Sequence, residues 1–377
     1  MRILHVLGKL DRGGVETWLV QVLRHIDREK YQMDFLVHTT DAGAYDEEVR
    51  SLGARIIPCL GHTNPARYAR NFLRILRQHG PYDVVHSHVH HFSGYVLMLS
   101  KMGRVPVRIA HSHTSAPEPN PGFTRKCYLN LMLHLIKGYA SLGLVVSSRA
   151  GNSLFPSWRD DPKWHVRPYG IELAPFEEKV DPREIRGRLG IPSLRPVVGH
   201  VGRFVEVKNH ELIIAAAAEL VKLMPQVMFV LVGDGPLRGK IEGDIRGHGL
   251  SSHFILTGIR ADVAEILKGG MDAFLFPSFY EGLGIALMEA QLAGLRCVVS
   301  DVVPPEAELS RGMVSWLSLS APPRKWAESL HAILTASGSC AVPEQVRAEY
   351  SIAGSVSHLT GLYRSGADSI HLNAVNP

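Results

Sequence analysis

Two loops in the second half of the chain carry residues suited to holding a diphosphate. The first is Gly202-Arg203-Phe204-Val205-Glu206-Val207-Lys208-Asn209. Arg203 stands just past an apolar run and Lys208 just before a helical one. A guanidinium offers a planar fork of donors and an ammonium a point charge, so the pair fits two phosphates. Two ordinary solvated charges fit the same residues. The second loop lies in the segment from Phe276 to Ala290. Gly282 and Gly284 permit a tight, anion-accepting turn where a helix starts. Glu281 lies in that turn, and Glu289 lies inside the helix beside Ile285, Ala286 and Leu292. A carboxylate in such a setting is costly unless it is hydrogen-bonded, for example to ligand hydroxyls. The plainer readings are a capping role for Glu281 and an exposed helical position for Glu289.

In the first half, Gly13-Gly14 follow an apolar run and open a helix, where backbone N–H groups can approach an anion. The pattern is not G-x-G-x-x-G, so it does not support a dinucleotide site, and a tight turn explains it equally well. His86-Ser87-His88-Val89-His90-His91 is histidine-rich, and histidines two apart on a strand share a face that can take a metal. No Asp-x-Asp stands at a strand end in a metal-binding context.

Such loops need strands that end in them and helices that begin there. Strand and helix alternate along the whole chain. In the first half, Ile3–Leu7, MDFLVHT, RIIPCL, DVVHSH and VRIAHSH read as strands. Helices are predicted from about Val15 to Ile26, over Ala66–His79 and around Phe92–Met102. Tyr68, Phe72, Ile75 and Leu76 mark the buried stripe of the second. In the second half, PVVGHVG, VMFVLVG, FILTG, DAFLFPS and RCVVSD read as strands, with a helix over Asn209–Leu223. This alternation predicts α/β architecture with parallel sheet, and ligand sites at the carboxyl ends of the strands.

The 377 residues exceed the ~250–300 at which a single core stops growing. Two doubly wound domains are therefore expected, 1–170 and 171–350, facing a central cleft. A Pro-, Glu-, Arg- and Gly-rich connection spans 168–193. A C-terminal helix near Ser351–Tyr363, within 351–377, is expected to return to the first domain before a loose tail from about Gly366.

The composition is that of a globular protein, 45% hydrophobic and 20% charged. Cys59, Cys127, Cys297 and Cys340 lie too far apart for a CxxC pair, and the chain is too long for a disulfide framework, which fits a reducing, cytoplasmic setting. The first ten residues, MRILHVLGKL, are too short and too interrupted for a signal peptide. The apolar stretch Leu129–Val146 is broken by His134, Lys137, Gly138 and Ser141, so it does not suit a bilayer span. The net charge of +5 divides unevenly. Residues 1–170 hold 22 Lys and Arg against 13 Asp and Glu, and 13 of the 20 histidines. A basic half fits nucleic acid, anionic lipid or a phosphorylated substrate, or a plain solvated surface.

Taken in order, these blocks resemble the retaining glycosyltransferases of family 4 (glycosyltransferase group 1), which have the GT-B fold. EGLGIALME, from Glu281 to Glu289, is similar to the family's E-x7-E motif. GRFVEVKNH is similar to its Gly-Arg…Lys-Asn segment, and VGDGPLR and FILTG follow in the family's order. The residues from Asp11 to Glu16 match its N-terminal glycine block. VRIAHSHT and SDVVPPEAELS more narrowly resemble capsular and exopolysaccharide enzymes.

The resemblance implies two Rossmann-like domains, the first binding the acceptor and the second the donor. It implies Arg203 and Lys208 on the donor diphosphate, Glu289 on the ribose hydroxyls, and Glu281 on the transferred sugar and its transition state. Backbone at Gly282, Leu283 and Gly284 would meet phosphate or sugar, and residues around Gly258 would border the base. Gly13 and Gly14 would approach the phosphate. His113, or else His111, would stand on the acceptor side against the donor sugar. Tyr169-Gly170-Ile171-Glu172 replaces the family's usual Asn before Gly-Ile-Asp, and Asp301 to Glu306 also departs from its pattern.

The implied reaction is retaining transfer of a hexosyl or N-acetylhexosaminyl unit in surface polysaccharide synthesis. The donor would be a UDP-sugar, with a GDP-sugar as the alternative and no metal required. The acceptor would be a glycan or a polyprenyl-diphosphate-linked saccharide. The acceptor hydroxyl would attack on the face the diphosphate leaves, through an oxocarbenium-like state. A non-catalytic sugar-nucleotide or polysaccharide-binding protein and a nucleotide-sugar epimerase are the competing readings on the same fold. On the transferase reading, the basic first half fits a lipid-diphosphate acceptor at an anionic membrane. The enzyme would then be cytoplasmic, or peripheral at the inner face, and nucleic acid is not expected.

Overall fold

The computed structural model describes residues 1–116, 121–192, 194–336 and 340–375, with side chains to 367 in the last helix. The chain divides into two compact units. One comprises Met1–Ile171 and Tyr350–Pro377, the other Glu172–Glu349.

The first unit contains strands β1 (Arg2–Leu7), β2 (Gln32–Val37), β3 (Ile56–Pro58), β4 (Val84–Ser87), β5 (Val107–Ser112), β6 (Leu142–Val145) and β7 (Trp164–Val166). They form one parallel sheet in the order β3-β2-β1-β4-β5-β6-β7. The chain winds outward from β1 to β3, then returns to the other side of β1 and winds the opposite way. The winding reverses between β1 and β4, where ligands bind in open α/β sheets. Ile3, Leu4, Val6 and Leu7 are all buried. A strand covered on both faces reads as a continuous apolar run, and His5 is its buried polar interruption.

The helix Pro65–His79 begins with proline at its first position, and the Asn64 side chain accepts from the Arg67 N–H. It buries Tyr68, Phe72, Ile75 and Leu76, the stripe its sequence periodicity marks. Arg67, Arg70, Arg74 and Arg77 are exposed. Residues Ile352–Val375 form one helix on this unit. The Ile171 N–H donates to the Tyr350 carbonyl and the Ile352 N–H to the Ile171 carbonyl, each at 2.8 Å. The helix continues past Gly366, where a loose tail was expected, because residues 367–375 contain no proline or further glycine to stop it. The last two residues of that expected tail lie outside the described residues.

The second unit contains β8 (Val197–Val201), β9 (Met228–Val232), β10 (Phe254–Gly258), β11 (Ala273–Phe276), β12 (Arg296–Ser300) and β13 (Val314–Leu317), again all parallel. Their order is β10-β9-β8-β11-β12-β13, so the winding reverses between β8 and β11. The core joins Phe204, Phe229, Leu231 and Phe254 to Ile213, Ala217 and Leu220 of the helix His210–Leu223 and to Trp326. Each buried Phe, Leu or Ile of this set stabilises the fold by roughly 1.5–3 kcal/mol. Among the described residues, no helix is long and apolar enough to cross a membrane.

Candidate active site

In the second unit, the loops after β8 and β11 meet at the point where the winding reverses. Val207 O accepts from the Phe279 N–H at 2.9 Å, and Asn209 Nδ2 donates to Pro277 O at 3.2 Å. Asn209 adopts a left-handed conformation (φ 54°) and caps the helix His210–Leu223 with its side chain. Asparagine tolerates that conformation better than most residues. These ties bring Lys208 Nζ to 2.6 Å from Glu281 Oε1, with both side chains largely buried. The ammonium also lies 4.8 Å from the centre of the Phe276 ring, in cation–π range. Arg203, at the start of the same loop, is exposed.

Gly284 (φ 97°) caps the helix Ile285–Leu292 without a side-chain hydrogen bond. A glycine cap leaves first-turn N–H groups to a ligand, and an anion is favoured there. Leu283 is buried. Glu289 is half-buried and has no hydrogen-bond partner among the described residues. Loss of water pushes its carboxyl up to about 7. Gly258 (φ 71°) accepts through its carbonyl from the Gly233 N–H at 2.9 Å. A Cβ on Gly233 would strike the Gly202 carbonyl. The loops ending β8, β9 and β10 therefore interlock through glycines.

In the first unit, Gly13 is an extended N-cap and Gly14 begins the helix Gly14–His25. Behind that helix lies a histidine array. His5 on β1, His86 and His88 in and after β4, and His111 and His113 in and after β5 occupy alternate positions on neighbouring strands. Two hydrogen-bonded chains run through them. His5 Nδ1 meets His88 Nε2 at 3.0 Å, His88 Nδ1 meets His113 Nε2 at 2.7 Å, and His113 Nδ1 meets the Tyr169 hydroxyl at 2.7 Å. Separately, His111 Nδ1 meets His86 Nε2 at 3.1 Å, and His86 Nδ1 meets the Tyr363 hydroxyl at 2.9 Å.

Burial lowers the basicity of all five imidazoles, His5 and His113 to about 3. They are neutral at ordinary pH. Trp18 packs its ring against His111, His113 and Tyr169, and its indole N–H donates to Ser355 Oγ at 3.1 Å. His111 is buried, whereas His113 is partly exposed.

Residues 12–174 match the family model described as Glycosyltransferase Family 4, and residues 181–341 match Glycosyl transferases group 1. EpsF of Bacillus subtilis (strain 168), named for glycosyl transfer, is 37% identical over 337 residues, spanning 87% of this chain and 86% of its own. The chain belongs to glycosyltransferase family 4. A second relative of this glycosyltransferase is the Escherichia coli UDP-Gal:α-D-GlcNAc-diphosphoundecaprenol α-1,3-galactosyltransferase. It is 28% identical over 226 residues, spanning 59% of this chain and 58% of that enzyme. The crystal structure of Anabaena Alr3699/HepE in complex with UDP-glucose matches with a TM-score of 0.73, 18% identity and full coverage of both chains. The two parallel α/β units are those of the GT-B fold.

Of the positions singled out in the sequence of this glycosyltransferase, the structure joins Lys208 directly to Glu281 and links Gly258 through Gly233 to Gly202. Glu289 stands apart, its carboxyl without a hydrogen-bond partner among the described residues. Asn209, Trp18, Tyr169 and Tyr363 are the positioning residues that sequence reasoning missed. Only Asn209 carried a local signal, as an N-cap residue before an apolar helix. The other three act through partners distant in sequence.

Proposed function

We propose that this glycosyltransferase moves a hexosyl or N-acetylhexosaminyl unit, with retention of configuration, from a UDP-sugar to a lipid-diphosphate-linked saccharide or glycan during surface polysaccharide assembly. The observation that carries this reading is the 2.6 Å Lys208–Glu281 pair at the β8 and β11 loops, beside the Gly284-capped helix. Negative charge grows on the diphosphate as it leaves. Lys208, Arg203 and the first turn of Ile285–Leu292 offset it in place of a metal ion, and preorganised groups do so with little reorganisation. Glu281 fixes the ammonium and faces the positive charge that develops on the sugar. The unpaired Glu289 carboxyl takes the ribose hydroxyls, and backbone near Gly258 borders the base. Gly282 and Leu283 offer backbone groups to phosphate or sugar.

The first unit receives the acceptor. Gly13 and Gly14 present the start of their helix to phosphate. Of the two histidines His113 keeps exposed surface, so it is the one that borders a ligand, its two ring nitrogens being held by Tyr169 and His88. The Escherichia coli relative's name and the Anabaena complex support uridine as the base, and that name supports a lipid-diphosphate acceptor.

Peripheral contact with an anionic membrane, on the cytoplasmic side, fits the exposed arginines of Pro65–His79. It also fits the helix Phe123–Tyr139, where Phe123 and Leu131 are exposed near Arg125, Lys126 and Lys137. Nucleic acid has no part in this reading.

The test is a thermal-shift screen of UDP-, GDP- and ADP-sugars, then transfer to a polyprenyl-diphosphate sugar. UDP-sugars are expected to stabilise the protein and to yield product with the donor's anomeric configuration. Donor binding without product across all acceptors would overturn the proposal.

A further inference from the structure

Each histidine in the array has two ring nitrogens, and the hydrogen bonds show how each is used. His88 spends Nε2 on His5, His111 spends Nδ1 on His86, and His113 spends Nδ1 on the Tyr169 hydroxyl. That leaves His88 Nδ1, His111 Nε2 and His113 Nε2. The first and third share a single hydrogen bond of 2.7 Å. His111 Nε2 is buried with no hydrogen-bond partner among the described residues. One ring nitrogen from each of His88, His111 and His113 lies within 4.8 Å of those of the other two.

We infer that His88, His111 and His113 form a binding site for a divalent transition cation of the zinc class. The chemistry of the donor set supports this. Neutral imidazole is a favoured ligand for zinc and its neighbours, and three histidines with an open fourth position is a common arrangement for zinc. A metal-bound imidazole almost always donates its other N–H to a partner that fixes the ring. Here all three rings already have that partner, in His5, His86 and Tyr169. The cation would replace the shared hydrogen bond between His88 and His113 and give the orphaned His111 nitrogen a partner. Zinc–nitrogen bonds of ~2.0–2.1 Å place tetrahedral ligands about 3.3 Å apart, so the 2.7 Å pair need open by only about half an ångström.

Access is also available. His88 and His113 are partly exposed, while His5 and His86 behind them are buried. The exposed surface of the trio therefore belongs to His88 and His113. Since the array also includes the other close trio, His5, His86 and His88, the ring partners favour the outer set. In the inner trio, His86 would have to give up a bond to His111 or Tyr363, both outside that trio, whereas the outer trio gives up only the bond that His88 and His113 share. This inference does not depend on the glycosyl-transfer reading, and its test reads no activity.

The full-length protein is stripped with a chelator, incubated with zinc chloride and passed through a desalting column, and its metal content is measured. One zinc per chain is expected to remain. Diethyl pyrocarbonate labelling of the wild type, mapped by mass spectrometry, should show His88 and His113 protected by zinc while the exposed His134 stays reactive. His88→Gln and His113→Gln should lower zinc affinity by about 100-fold, and Tyr169→Phe by roughly 10-fold, with circular dichroism confirming the fold. No retained zinc, or zinc that protects only histidines outside the array, would overturn the inference. If the variants fail to fold, the wild-type labelling decides the matter alone.

Discussion

Lys208 and Glu281 are worth more as a pair than apart. Each is largely buried, so removing one breaks the 2.6 Å ion pair in a poorly solvated place. Lys208→Ala is expected to lower kcat/KM by about 10²–10³ through loss of diphosphate stabilisation. It should also lower stability by roughly 1–3 kcal/mol. A double-mutant cycle with Glu281→Ala, followed by steady-state kinetics and urea unfolding, should show strong non-additivity in both. Glu289 predicts a pH dependence with a definite sign. Its carboxyl titrates near 4.5 when solvated and at about 7 in the fold. Between those values the folded chain holds a proton that the unfolded chain has released, so stability falls as pH rises from 4.5 to 7 and levels off above. Glu289→Gln should flatten that slope and raise Tm at pH 8, while weakening UDP-sugar binding. A Tm profile across pH 5–8 that is identical in the two proteins would remove Glu289 as its source.

The elements that position these residues depend on a few glycines and one asparagine. Gly233 has φ 140° and lies against the Gly202 carbonyl. Gly233→Ala is expected to cost about 2–3 kcal/mol in urea unfolding and to impair donor binding. Gly239→Ala, in the helix Arg238–Gly247 with open space around the position, should instead gain roughly 0.4–1 kcal/mol. The ends of β8 and β11 were legible because a long apolar run stops at Gly202 and at Pro277. The stripe of Pro65–His79 was legible because its period is helical. Strands β6, β7 and β13 were not, because Gly143, His165 and Ser315 interrupt their short apolar runs. In β6, Gly143 reads as a breaker, yet it is small because the Trp164 indole of β7 lies against it. At the site, residue types at the strand ends were readable, but their partners were not. Asn209 reaches Pro277 across 68 positions, and Tyr363 reaches His86 across 277. No local pattern encodes a contact of that kind.

At the scale of the whole molecule, charge is distributed by unit. Residues 1–170 carry the positive excess, including the four exposed arginines of Pro65–His79. Near an anionic bilayer each basic residue contributes about 1 kcal/mol, and salt screens it. Replacing Arg67, Arg70, Arg74 and Arg77 by glutamine should weaken co-sedimentation with phosphatidylglycerol vesicles at low salt and leave neutral vesicles unaffected. Unchanged binding would move the contact to another face.

The closure of the first unit by Tyr350 onward has a consequence for biosynthesis. Domains usually complete in the order in which the ribosome releases them. Here the second unit, Glu172–Glu349, is contiguous and can finish as soon as it emerges. The first unit emerges earlier but waits for Ser355 to reach Trp18 and for Tyr363 to reach His86. During that interval the indole N–H and the His86 imidazole lack those partners. The nascent N-terminal half therefore stays incomplete until the residues after Tyr350 emerge.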